Sequence, residues 1–111
     1  MTTTTSARRF QMWEYHVSHG RLLLRSPKSE RVPTNLDIEF IGVEYLALPR
    51  HLVGLEVREA SPAELDAFRE VREVVAPDRL FTLTSEGLSH SVVAVSYRVT
   101  ENDMDIFETR H

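Results

Sequence analysis

Apolar and polar residues alternate on both sides of the tripeptide Ser18-His19-Gly20. A period of two is typical of a β-strand with one buried face, because successive side chains of a strand point to opposite sides. A tight turn at His19-Gly20 would join two such strands, residues 10–17 and 21–26, into an antiparallel hairpin. The sequence therefore predicts that the chain begins with two paired strands of a β-sheet.

A two-residue turn sets the register of this hairpin by pairing Ser18 with Arg21. That register predicts a buried apolar face made of Trp13, Tyr15, Val17, Leu22 and Leu24. On the opposite face Glu14 lies across from Arg25, and we expect both side chains to be exposed.

Strand character returns several times along the chain. Residues 36–41 place Leu36, Ile38 and Phe40 on one side of a strand, and Gly42 then indicates a bulge or bend. The remaining predicted strands cover residues 43–48, 52–58, 79–84, 89–99 and 104–109, with a turn at 100–103 before the last of them.

The second predicted hairpin turns at residues 85–87. A three-residue loop keeps Phe81 and Leu83 on the face of Val93 and Val95, whereas a two-residue Glu86-Gly87 loop would separate the two pairs. Burial of one face therefore favours the three-residue loop.

Ser61-Pro62-Ala63-Glu64 has the form of a capping box with proline at the first helical position, so it predicts the start of a helix. An apolar stripe follows at helical spacing: Leu65, Phe68, Val71, Val74 and Val75. Because Pro77 disfavours a helical residue before it, we expect one amphipathic helix near residues 62–76.

These elements predict an α+β fold, with a predominantly antiparallel sheet of about seven or eight strands that is partly closed or curled. Leu, Ile, Val and Phe make up 32 of the 111 residues, which is enough to form a core. We expect residues 1–9 to be a flexible N-terminal tail and residues 10–111 to be a single α+β domain.

The chain has no cysteine and a net charge of −4. The first property excludes disulfides and thiolate zinc sites, and it suits a cytoplasmic protein. The second argues against nucleic acid as a partner. No apolar run is long enough to cross a membrane, so we expect no membrane partner either.

The predicted hairpin register gathers one dense polar cluster: Glu14, His16, Arg21 and Arg25. A base such as Glu14 or His16 beside an arginine could abstract a proton or bind a carboxylate. The same four residues also fit a solvated strand face, which is the more common role of such pairs.

His16 and His19 have an HxxH spacing, but His16 lies in a predicted strand and His19 in a turn. No third ligand is evident, and zinc sites need three or four. We therefore expect no bound metal and no cofactor.

Taken together, these patterns favour a small non-enzymatic binding or interaction domain that forms a homodimer or binds another protein. We expect contacts through an edge strand or through the apolar residues Leu23, Ile41, Val92 and Phe107. The alternative is a small-ligand-binding protein or an enzyme that uses the Glu14, His16 and Arg25 face.

Overall fold

The computed structural model describes residues 3–103, in which eight strands form one antiparallel sheet. The strands are β1 (Thr4–His16), β2 (Arg21–Ser26), β3 (Asn35–Ile41), β4 (Tyr45–Ala47), β5 (His51–Glu59), β6 (Arg79–Ser85), β7 (Leu88–Ala94) and β8 (Ser96–Asn102), and the helix α1 (Pro62–Phe68) lies between β5 and β6. The order across the sheet is β4-β7-β6-β5-β1-β2-β3-β8. The predicted class, a sheet-dominated α+β fold with one helix, is confirmed.

The sheet curls so that its two ends come together. β7 and β8 are joined only by Val95, yet β8 forms one edge of the sheet and β7 lies next to the other edge. The Val95 amide donates to the Ile41 carbonyl at 2.9 Å, and the ring centroids of Tyr97 and Phe81 are 5.3 Å apart. The predicted curl is confirmed, although no ladder among the described strands joins β4 to β8, so the sheet stays open.

The inner face of the curled sheet holds the main core. Its buried residues come from every strand except β4 and β8 and include Phe10, Leu22, Leu24, Ile38, Phe40, Leu52, Val57, Phe81, Leu83 and Val92. The predicted phase of residues 36–41 is right, because Ile38 and Phe40 are buried in this core while Asp37 and Glu39 lie on the other face, which we call the outer face.

β1 begins at Thr4, well before the predicted start of the first strand. Residues 4–6 and 9–11 pair with β5, and the register shifts between Ser6 and Arg9. Residues 4–9 therefore belong to the sheet and not to a tail.

The predicted register of the β1–β2 hairpin is wrong. Tyr15 pairs with Leu22, Gln11 pairs with Arg25, and a bulge lies between Met12 and Glu14. The turn is a 3₁₀ segment (Val17–His19) followed by Gly20 in the left-handed region. Because a bulge adds one residue to a strand, parity no longer assigns Trp13 to the core face.

Burial in this hairpin differs from the prediction at several positions. Leu22 and Leu24 are buried as predicted, whereas Tyr15 and Val17 are exposed and Trp13 is half-buried. Arg25, which the sequence places in solvent, is completely buried.

The β6–β7 hairpin uses the two-residue turn that the burial argument disfavours. Ser85 pairs with Leu88, and both Glu86 and Gly87 have positive φ, at 51° and 76°. Such a turn matches the twist of the flanking strands. The burial argument fails because both faces of this hairpin are covered: Phe81 and Leu83 lie in the main core, and Leu80 and Val93 pack against α1 on the outer face.

The helix begins as predicted and ends eight residues early. Ser61 accepts from the Glu64 amide and the Glu64 side chain accepts from the Ser61 amide, which forms the capping box. After Phe68 the chain continues in turns, and Val71 and Val75 of the predicted stripe are exposed. Three valines in five residues lower helix propensity, and only Phe68, Leu65 and Val74 have a sheet surface to pack on.

Two further differences lie toward the end of the chain. The predicted strand 89–99 divides at Val95 into β7 and β8, and β8 continues to Asn102 through most of the predicted turn at 100–103. The predicted strand 104–109, with Phe107, lies outside the described residues. Between residues 3 and 103, no helix has the length and apolar character needed to cross a bilayer.

Candidate functional site

The structure brings three of the four predicted site residues together. Glu14 and His16 project from β1, with Glu14 Oε2 at 2.9 Å from His16 Nε2. The same oxygen lies 3.9 Å from Arg21 Nη1 on β2. His16 is exposed, so this group is a surface cluster at the turn end of the hairpin.

Arg25 does not join that cluster. It lies further along β2, opposite Gln11 instead of Glu14 as predicted, because the longer turn and the bulge near Trp13 both shift the register. Its Nε and Nη2 donate to the two carboxylate oxygens of Asp37 at 2.7 and 2.9 Å. The guanidinium carbon lies 5.5 Å from the centroid of a Trp13 ring, a cation–π arrangement.

Two asparagines extend this buried pair. Asn102 Nδ2 on β8 donates to Asp37 Oδ2 at 3.0 Å, and Asn35 Nδ2 donates to Asn102 Oδ1 at 3.0 Å. The charge of Arg25 is therefore balanced within the fold, and the buried guanidinium is not offered to a ligand from solvent.

The second carboxylate of β3, Glu39, is held between two arginines. Arg21 Nε donates to Glu39 Oε2, and Arg98 Nε on β8 donates to Glu39 Oε1. The cleft along this face has a volume of about 110 Å³ and is lined by Arg21, Leu23, Asp37, Glu39, Arg98 and Thr100. Small-molecule sites are larger, at about 300–1,000 Å³.

The His16 and His19 rings lie with their centroids 6.4 Å apart. In the described part of the chain, no group of three or more His, Cys, Asp or Glu side chains is arranged to hold a metal ion. The absence of a bound metal remains a prediction.

A larger cavity lies where the sequence predicts no site. It has a volume of about 360 Å³ between β1 and the segment 26–32, and we call it the β1–loop cleft. Its lining residues are Arg8, Arg9, Gln11, Ser26, Pro27, Ser29 and Val32. The sequence predicts a flexible tail over residues 1–9, and a flexible tail would not line a cavity. The β1–loop cleft is therefore absent from the sequence prediction. The one sequence feature that points to this cleft is the pair of consecutive arginines, Arg8 and Arg9.

Arg8, one of the lining residues, is held by contacts within the fold. Its Nη1 donates to the Thr34 carbonyl and its Nη2 to Thr34 Oγ1, both at 3.1 Å. Nη2 also lies 3.5 Å from Glu101 Oε2. These contacts tie β1 to the chain leading into β3.

A third cavity lies between α1 and the outer face of β6 and β7. It has a volume of about 300 Å³, and Glu64 is the one carboxylate in its lining. Both oxygens of Glu64 accept from Arg58, at 2.6 and 2.8 Å. The Arg58 hydrogen bonds, with the Ser61 amide, lower the pKa of Glu64 to about 2. The Glu64 carboxylate therefore stabilises the start of α1 and is poorly suited to act as a base near neutral pH.

No family model, no curated protein and no solved structure matches the chain. A function for the chain therefore has to be inferred from the geometry of its described residues.

Proposed function

We propose that this chain is a non-catalytic binding domain that takes a small molecule in the β1–loop cleft. The observation that carries the proposal is the size and lining of that cleft: about 360 Å³, with Pro27 and Val32 as apolar surface and arginine, glutamine and serine side chains around them. Ligand sites combine apolar surface with polar groups that fix the orientation of the ligand.

The alternative, an enzyme or ligand site on the Glu14, His16 and Arg25 face, has weaker support. Arg25 is buried against Asp37, and Glu14 and His16 pair with each other at the surface. A general base works best in a cavity that positions the reacting atom within hydrogen-bonding distance. The Glu14–His16 pair lines none of the three cavities described above.

The proposal is tested by amide chemical-shift mapping with three aromatic probes: benzyl alcohol, benzylamine and benzoate. We expect at least one of them to shift the amide resonances of Gln11, Ser26, Ser29 and Val32. Ser29→Trp is expected to abolish these shifts by filling the cleft. Ser89→Trp, which fills the cavity beside α1, is the matched control and is expected to preserve them.

The proposal is wrong if none of the three probes shifts the cleft amides. It is also wrong if Ser29→Trp leaves every shift unchanged while the variant remains folded.

Self-association is a second candidate, supported by the apolar residues at the turn end of β1, β2 and β3. Val17 is 77% exposed, and Tyr15 and Ile41 are each 40% exposed. Of the contact residues expected from the sequence, Leu23 and Val92 are buried and so cannot contribute, whereas Ile41 can. We propose a weak homodimer through this end.

Sedimentation velocity at about 100 μM protein, a concentration at which weak association is visible, tests the homodimer. We expect a mass above that of the monomer, which Val17→Asp should reduce to the monomer value. Leu88→Asp, at another exposed apolar position, is the control and should leave the mass unchanged. A monomer mass for the unmodified chain would contradict the proposal.

A further inference from the structure

We infer that the ligand of the β1–loop cleft is a small organic carboxylate and that Arg9 binds its charge. This inference rests on the proposed function and adds the chemical class of the ligand. Most arginines of the described residues are neutralised by a carboxylate within the fold, whereas a few are not.

Seven of these arginines have a carboxylate oxygen within 4.0 Å: Arg8, Arg21, Arg25, Arg58, Arg69, Arg79 and Arg98. Four have no ion pair to a described residue: Arg9, Arg31, Arg50 and Arg72. Arg72 donates to the Glu44 carbonyl instead. Of these four, only Arg9 lines one of the cavities described above.

The local backbone explains how two consecutive arginines come to line one cavity. In a regular strand Arg8 and Arg9 would point to opposite faces of the sheet. The register shift between Ser6 and Arg9, where β1 pairs with β5, breaks this alternation. Because of this bulge, both arginines line the cleft, so its lining contains two cationic side chains.

The surroundings of Arg9 favour a monoanion with an apolar body. Arg8 is paired with Glu101, whereas the Arg9 guanidinium has no ion pair to a carboxylate of residues 3–103. A carboxylate matches a single guanidinium in charge and in its two-pronged hydrogen-bonding geometry. Pro27 and Val32 offer apolar surface to the rest of the ligand, and Gln11 and Ser29 add polar groups to the lining.

The test compares benzoate with benzyl alcohol, which has a similar ring and no charge, by isothermal titration and amide shift mapping. Because a hydrogen bond to a charged group is stronger than one between neutral groups, we expect benzoate to bind at least about tenfold more tightly than the alcohol. Raising the salt concentration from about 20 to about 200 mM should weaken benzoate binding, because salt screens the attraction between the carboxylate and the guanidinium. The affinity for benzyl alcohol, which has no charge, should not change.

Arg9→Gln identifies the residue responsible. We expect this variant to lose about tenfold in benzoate affinity and to bind benzyl alcohol as before. Arg31→Gln, which removes another arginine without an ion pair to any residue of 3–103, is the matched control and should leave both affinities unchanged. Urea unfolding of both variants verifies that the fold is retained.

Two outcomes would overturn the inference while leaving the binding domain in place. Either benzoate and benzyl alcohol bind the cleft equally well, or Arg9→Gln leaves benzoate affinity intact. If neither benzoate, benzyl alcohol nor benzylamine shifts the cleft amides, the proposed function itself fails, and the inference fails with it.

Discussion

The outer face of the sheet is withdrawn from water in two different ways at its two ends. Over β6, β7 and β4 it is apolar and covered by α1 and the turns after it, with Phe68, Leu80 and Val93 buried. Over β2, β3 and β8 it is polar, and Arg25, Asp37 and Glu39 are nonetheless buried. The helix-covered end depends on hydrophobic packing, whereas the polar end depends on charge balance.

Alternation along a strand therefore does not indicate whether its polar face is exposed to solvent. β3 alternates apolar and polar residues like a strand with one solvated side, and yet its polar side is closed by Arg–carboxylate pairs. Charged pairs and apolar packing also respond differently to substitution. Loss of one partner leaves a buried charge, whereas loss of an apolar side chain leaves a cavity.

Asp37→Asn is expected to have the largest effect, because it leaves the buried Arg25 guanidinium without a counter-charge. Breaking a buried pair costs about 3–5 kcal/mol in the free energy of unfolding, measured by urea denaturation. Glu101→Gln, which weakens the more exposed pair with Arg8, is the control and should cost less than about 1 kcal/mol. If the two variants lose equal stability, charge balance is not what holds the polar end.

Phe68→Ala tests the apolar end. Phe68 is buried against Leu80 and Val93, and its ring lies 5.4 Å from that of Tyr45. Removing a buried phenylalanine costs about 3 kcal/mol, which urea denaturation would detect. Val71→Ala, at an exposed position just beyond α1, should change stability by less than about 0.5 kcal/mol. A loss at Phe68 no greater than at Val71 would show that the helix does not seal this face.

Ser61→Ala removes the N-cap of α1. The Ser61 hydroxyl accepts from the Glu64 amide at 3.2 Å, and loss of such a cap costs about 1 kcal/mol. The same substitution at Ser89, which is exposed on β7, is the control and should have little effect on the urea midpoint. A Ser61→Ala variant as stable as the original chain would mean that packing alone positions the helix.

Glu64→Gln has the smallest expected effect and a defined pH dependence. The pKa of Glu64 is lowered from 4.5 to about 2, so the fold favours the charged carboxylate. Its contribution is fully present above pH 4.5 and is lost as the pH falls toward 2. A third of the side chain is exposed, and solvent screening keeps the contribution below about 1 kcal/mol.

The stability difference between the original chain and Glu64→Gln, measured by urea unfolding at several pH values, should therefore shrink as the solution is acidified from pH 4.5. A difference that does not change with pH would contradict the Arg58–Glu64 pairing.

Much of the fold is predictable from local sequence because local chemistry determines it. Alternation locates the strands, and the Ser61–Glu64 capping box locates the start of the helix. Registers are less predictable, because a bulge near Trp13 has no sequence signature comparable to a turn. The Glu86-Gly87 turn is disfavoured only if its hairpin buries one face, whereas both faces are covered here.

The candidate sites are less predictable still, since they depend on tertiary pairing. Glu14, His16 and Arg21 meet because they flank one turn. Arg25 meets Asp37 across the β2–β3 ladder, and the β1 residues that line the β1–loop cleft belong to a strand that pairs with β5, which is far away in the sequence. No local pattern encodes these long-range pairings.

The strand order also affects how quickly the chain can reach this structure. β1 pairs with β5, β3 with β8 and β4 with β7, so three of the seven ladders join segments that are far apart in the chain. Each of these ladders requires a long loop to close, which costs chain entropy before any of its hydrogen bonds can form. Folds of this kind refold in about milliseconds to seconds. Until those ladders form, the two hairpins β1–β2 and β6–β7 have no shared inner face to bury, so the search for the native pairing governs the folding rate.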